Sequence, residues 1–158
     1  MASALFPSFK SLLLSGSLVG AGGLSNGDIN IVLMNSSYSY SSSQTTWGSS
    51  GVSTNEAATQ GTYTTGVGGT SLGTITVGIS GTSANATLST YTVQWTGTIT
   101  AHAALILNWN SGTPSDSQLI AFIDLNALNG GTDPSSSGSS ATFTLDWTAV
   151  SGVIISLT

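Results

Sequence analysis

The chain has 158 residues, a single cation (Lys10), six acids and a net charge of −5. Only 4% of its residues are charged, against about 25% in an ordinary domain. It therefore lacks the cations that a phosphate backbone or an anionic lipid surface requires, and neither nucleic acid nor membrane is an expected partner. With no cysteine there is no disulfide framework, thiolate metal site or thiol nucleophile, and the length suits one domain able to bury its core without cross-links. The polar surface falls to Ser, Thr, Asn, Gln and Gly, which carry little field and give little protection against self-association.

Met1 to Leu24 admits two readings. Lys10 followed by Leu12, Leu13 and Leu14 and then by small residues has the order of a signal peptide. Leu5, Phe9, Leu12 and Leu13 also recur at helical spacing, with Ser3 as a cap and Gly16 as a stop. Phe6 and Pro7 stand where a basic leader belongs, which favours the helix. No run is long enough to span a bilayer. Asp28 to Asn35 predicts the first strand, with Ile29, Ile31 and Leu33 on one face and Val32 and Met34 on the other, both covered. Ser36 to Gly69 is rich in Ser, Thr and Gly, and predicts long loops that carry Tyr38, Tyr40, Trp47 and Tyr63. Leu72 to Ser80 predicts a strand, Gly81 to Ala86 a turn, and Leu88 to Ile99 a long strand or hairpin arm with Gly97 as a bulge. Tyr91, Val93 and Trp95 alternate with polar residues there. Ala103 to Trp109 follows, then a turn at Gly112 and Pro114, then a strand from Leu119 to Leu125. Asn129 to Ser140 reads as a polar loop. Ala141 to Trp147 alternates cleanly, and Val153, Ile155 and Leu157 lie on a closing strand.

These elements predict an all-β fold: an antiparallel β-sandwich of Ig-like or jelly-roll type with a short N-terminal helix and long loops. Residues 1–24 form the N-terminal helix or arm and residues 25–158 the sandwich domain.

Little in the sequence points to catalysis. His102 is the only histidine, no acid adjoins it in sequence, and no serine sits in a G-x-S-x-G elbow. Asp28, Glu56, Asp116, Asp124, Asp133 and Asp146 are scattered, and the Asp133 loop lacks the oxygen-ligand spacing of a calcium loop. Neither a metal nor another cofactor is expected. Trp95, Trp109 and Trp147 fall on the inward phase of strands and read as core, whereas Trp47 lies in a loop. Asn35-Ser36-Ser37 and Asn85-Ala86-Thr87 match glycosylation acceptors, a match that arises easily by chance in a chain so rich in Ser and Thr.

Four segments carry a resemblance. They are Leu5-Phe6-Pro7-Ser8-Phe9-Lys10 with Leu12-Leu13-Leu14-Ser15-Gly16; Asp28-Ile29-Asn30-Ile31-Val32-Leu33; Tyr63-Thr64-Thr65-Gly66-Val67-Gly68-Gly69-Thr70-Ser71-Leu72; and Leu119-Ile120-Ala121-Phe122-Ile123-Asp124 with Phe143-Thr144-Leu145-Asp146-Trp147 and Gly152-Val153-Ile154-Ile155-Ser156-Leu157. In this order they resemble a group of small tailed-bacteriophage virion proteins. Val67 stretches the Tyr-to-Gly-Gly spacing, and Asn30 stands where the group often has a cation. The resemblance implies a virion structural protein without catalytic residues. By size and fold it is similar to capsid cement or decoration proteins, on the capsid exterior, with the major capsid protein and copies of itself, as a homotrimer, for partners. The expected contact residues are Phe6, Phe9 and Lys10 on the helix and Tyr38, Tyr40 and Trp47 on the loops. Two other readings stand beside it. One is a head-fibre or tail-fibre module that binds host glycans in a groove around Trp47. The other is a small secreted hydrolase dependent on His102.

Overall fold

The computed structural model describes residues 3–15, 29–66, 68–72, 75–80, 83–88, 92–146 and 153–157. The expectations at Gly16, Asp28, Val67, Gly81, Tyr91, Trp147 and Gly152 lie outside the described residues. In chain order the strands are β1 (Ala4–Leu5), β2 (Ile29–Met34), β3 (Thr70–Ser71), β4 (Ile75–Ser80), β5 (Ser83–Leu88), β6 (Thr92–Thr96), β7 (Ile99–Thr100), β8 (Ala103–Asn108), β9 (Gln118–Ile123), β10 (Ser135–Ser136), β11 (Thr142–Asp146) and β12 (Val153–Leu157). Among the described residues, two short α-helices, α1 (Pro7–Ser15) and α2 (Leu125–Leu128), and two 3-10 turns accompany the strands. Among the described residues all the strand pairings are antiparallel, and the fold is all-β in character. No described helix is long and apolar enough to cross a membrane.

The main sheet has the order β1-β9-β8-β2-β3. Every residue of β2 and of β8 is buried, and β9 is buried from Leu119 to Phe122. Successive strand residues face opposite ways, so these three strands are covered on both faces, as the continuous apolar runs IVLM and AALIL require. Ile31, Ile106 and Ala121 lie side by side across the sheet. β9 carries one extra residue, Ile120, where the register shifts between Ile106 and Leu107; the bulge leaves the Ile120 carbonyl to accept from the Phe6 amide at 3.0 Å.

Short segments close both edges of this sheet. Along β9, Thr46 bridges Gln118, the Leu119 amide donates to Thr45, and β1 pairs with Ala121 and Phe122. Along β2, β3 takes Asn30 and Ile31, Ala57 donates to the Leu33 carbonyl at 2.8 Å, and Glu56 bridges Met34. Unpaired backbone groups at a sheet edge invite foreign strands, and these segments remove that risk on the main sheet.

The remaining strands form smaller sheets: β11 with β6, β10 with β7, and β12-β5-β4. In the β6–β11 pair the expected alternation is observed: Val93, Trp95 and Phe143 are buried, while Gln94, Thr96, Thr142 and Thr144 are exposed. Three expectations need correction. The Ser83–Leu88 stretch is strand β5 paired with β4 from Ile75↔Leu88 to Ser80↔Ser83, where a turn through Ala86 was expected. Leu125 begins α2 instead of continuing β9, because Asp124 caps the helix by accepting the Ala127 amide at 2.9 Å. Gly97 is no bulge, since the β6–β11 register is unbroken; its φ of +120° lets the chain pass Gly61, where a Cβ would lie 2.6 Å from the Gly61 Cα.

Candidate functional site

The residues expected to contact a partner separate into two groups in space. Phe6 follows β1, and its ring lies 5.1 Å from Tyr40, which stacks on Phe122 at 5.1 Å; Tyr38 is 6.0 Å from Phe122. Phe6, Tyr38 and Tyr40 therefore converge on one aromatic cluster beside the N-terminal arm. Phe6 and Phe9 are fully buried and Tyr38 nearly so, whereas Tyr40 is half-buried and Lys10 is exposed. Helical spacing explains the split on α1: Phe9 points to the core, and Lys10, Ser11 and Leu14 point out. Trp47 belongs to neither surface. It is buried, packs edge-on to Trp109 at 6.4 Å, and is tied to β9's approach by its amide donating to Ser117 at 2.8 Å. The open groove expected around Trp47 is thus corrected: its indole completes the core.

An open cleft of about 290 Å³ lies against the aromatic cluster, lined by Tyr38, Ser39, Tyr40, His102, Phe122, Asp124 and Asn126. His102 precedes β8. Its amide donates to Met34 at 2.8 Å and its carbonyl accepts from Asn126 at 3.0 Å, which fixes the backbone on both sides. Its Nδ1 lies 2.7 Å from Asp133 Oδ1, and Asn126 Nδ2 donates to the same oxygen at 2.6 Å. Burial raises the Asp133 carboxyl, but the bonds from Asn126 and His102 outweigh it and hold the group below the usual carboxylate range. An ionised carboxylate can only accept, so Nδ1 carries the proton in the neutral ring and Nε2 keeps its lone pair. Burial likewise raises Asp124, and hydrogen bonds, that from Ala127 among them, bring it below the usual range. Burial, with Tyr40 adding, pushes the Tyr38 phenol far up; it donates to Gln44 Oε1 at 2.9 Å.

The His102–Asp133 contact has the geometry of the orienting half of a hydrolytic triad. Among the described residues no hydroxyl is hydrogen-bonded to His102, so the observed work of the pair is to pin the polar loop after α2 to the start of β8. No group of three or more His, Asp or Glu among the described residues is placed to hold a metal ion. Sequence reasoning missed the pairing because 31 positions separate its members. The glycosylation pattern at Asn35 has a structural use: its Oδ1 accepts from Ser37 and its Nδ2 donates to Glu56.

The Tyr-to-Gly-Gly segment is a structural lock. Tyr63 is buried; its hydroxyl donates to Glu56 Oε1 at 2.8 Å and accepts from the Leu33 amide at 3.2 Å. Burial and then the Glu56 charge push its phenol far above the ordinary range. Gly68 and Gly69 have φ of +78° and +74°. A Cβ on Gly68 would lie 2.3 Å from the Trp109 indole, and one on Gly69 would lie 2.1 Å from the Ile31 carbonyl oxygen. Asn30, buried on β2, donates to the Gly68 carbonyl at 2.8 Å. The Asn30 amide thus has a definite partner.

No family model matches the chain, and no curated protein or solved structure matches it.

Proposed function

We propose that the chain is a non-enzymatic structural protein of a tailed-phage particle, a cement that binds the major capsid protein on the outside of the head shell as a symmetric homo-oligomer. One observation carries this reading. The N-terminal arm is anchored by β1, Phe6 and Phe9 and turns Lys10 and the 91% exposed Leu14 outward. An anchored arm with an outward apolar and cationic face suits a grip on a neighbouring protein, and the resemblance of the arm and strands supplies the identity of that neighbour. The same reading takes the sheets as layers of a sandwich, supported by the two-sided burial of β2, β8 and β9. Such a body transmits load without deforming. Many weak contacts per oligomer add as avidity, and a surface with few charges makes the grip insensitive to salt.

Copy number in purified particles, by quantitative mass spectrometry against the most abundant shell protein, tests this. A count comparable to the shell protein supports a cement; a few tens or fewer moves the chain to a fibre, vertex or tail; absence overturns the virion reading. The second reading, a fibre module that holds host glycans, is favoured by the cleft where the half-buried Tyr40 ring meets His102, Asp124 and Asn126, since an aromatic face beside polar groups suits a sugar. A silent glycan array alongside a working positive control counts against it.

A further inference from the structure

β11 pairs with β6 from Thr142↔Thr96 to Asp146↔Thr92, and among the described residues no strand pairs with its other edge. A cleft of about 370 Å³ lies there, lined by Thr142, Phe143, Thr144 and Leu145 and by Leu125, Leu128, Asn129, Pro134 and Ser135, with no residue of β6. Alternate strand residues face opposite ways, so four consecutive lining residues mark a strand edge. Leu128, 72% exposed, stands at the lip. Natural edges are blunted by charges, Pro or bulges, and of these the β11 sequence TFTLD has only Asp146, at its end.

Charge decides what fits. No described lining residue is charged, and the chain offers one cation against six acids, so copies of it meet with least repulsion where acids are few. An antiparallel pairing of two β11 strands about Thr144 sets Phe143 against Leu145 of the second copy and Thr142 against its Asp146. The two Asp146 side chains then stand about 14 Å apart along the ladder, beyond the screening length of about 8–10 Å. The edge is self-complementary, as a twofold contact demands.

We propose that β11 pairs with β11 of a second copy, antiparallel about Thr144, joining two β6–β11 ribbons into one sheet with each Leu128 closing over the added strand. This twofold contact replaces the threefold association that the resemblance implies, and it does not rest on a virion role. Sedimentation of the purified full chain over about 1–100 µM tests it, because association follows mass action; a dimer is expected. Opposed antiparallel Cα atoms lie about 4.5–5.5 Å apart, within disulfide reach of about 4.4–6.8 Å. In this cysteine-free chain Thr144→Cys therefore cross-links to a covalent dimer on oxidation, and Ser111→Cys, on an exposed turn, does not. Leu128→Lys weakens association about tenfold or more, roughly 1.4 kcal/mol, with unchanged circular dichroism. A monomer throughout, a trimer, or equal cross-linking of the two cysteine variants overturns the proposal. A trimer or equal cross-linking leaves the shell-binding reading intact, whereas a monomer throughout also removes its homo-oligomer.

Discussion

Substituting Gly69 by alanine tests the lock between the Tyr63 turn and β2. Two costs act together. The φ of +74° places an L side chain in the left-handed region, at about 1–2 kcal/mol. The new Cβ would lie 2.1 Å from the Ile31 carbonyl oxygen and 2.7 Å from Val32 Cγ2. That oxygen belongs to β2, which is held in register by β3 on one side and β8 on the other, so relief requires moving a central strand. Overpacking of this kind costs about 1–3 kcal/mol, for a total of about 2–5 kcal/mol. For a domain of this size that lowers Tm by about 4–20 °C. Gly66→Ala is the internal control. Its φ is +81° but nothing lies within 4 Å of the added Cβ, so it should cost only the conformational part. Urea unfolding of both variants separates the two terms as a change in midpoint at constant slope. If Gly69→Ala is no more destabilising than Gly66→Ala, the close approach of the turn to β2 is wrong.

Other outcomes follow from the same geometry. Tyr63→Phe leaves the buried Leu33 amide without its side-chain acceptor and should cost about 1–3 kcal/mol by chemical unfolding; an unchanged midpoint would contradict the bond. Phe9→Ala, which empties a fully buried site, should cost about 3–5 kcal/mol, whereas Leu14→Ala on the exposed face of the same helix should leave Tm nearly unchanged. Asp124 and Asp133 are both held below their ordinary range, so their stabilisation is complete above the unfolded value of about 3.9 and is lost as pH falls through the lower folded values. Asp133→Asn should therefore flatten the acid limb of a stability–pH profile below about pH 4, and a limb of unchanged steepness would refute the assignment. Pairing Lys10→Glu with Leu14→Ser should weaken loading of the protein onto undecorated shells about tenfold without loss of fold, roughly 1.4 kcal/mol; unimpaired loading would remove the arm's outer face from the contact.

Elements with strong local periodicity were legible in the sequence. The Thr92–Thr96 and Thr142–Asp146 strands show polar and apolar residues in strict alternation, and Ile31–Met34 is a continuous apolar run that two-sided burial explains. Short elements were not. α2 is a four-residue helix fixed by one cap, and the apolar alternation of Leu119, Ala121 and Ile123 runs straight into Leu125. β5, with the sequence SANATL, is built from small residues that also favour turns, so local chemistry pointed the wrong way until pairing with β4 decided it. Within the site, the aromatic nature of Phe6, Tyr38, Tyr40 and Trp47 was visible, but which of them remains open to solvent depends on tertiary packing. The His102–Asp133 contact and the burial of Trp47 against Trp109 join residues too distant in sequence for any local pattern to reveal.

The closure of the β9 edge by β1 bears on how the protein is made. Ala4 pairs with Phe122, so the arm leaves the ribosome before its partner and must wait for a residue 118 positions later. At about 5–20 residues per second the delay is roughly 6–24 s. β2 waits similarly for β8, since Ile31 pairs with Ile106. Through that interval the arm's Phe6 and Phe9 and the whole of INIVLM are without their native cover. The main sheet therefore assembles only once β9 has emerged, with the arm completing it. A nascent chain stalled before Gln118 should remain sensitive to protease throughout the arm.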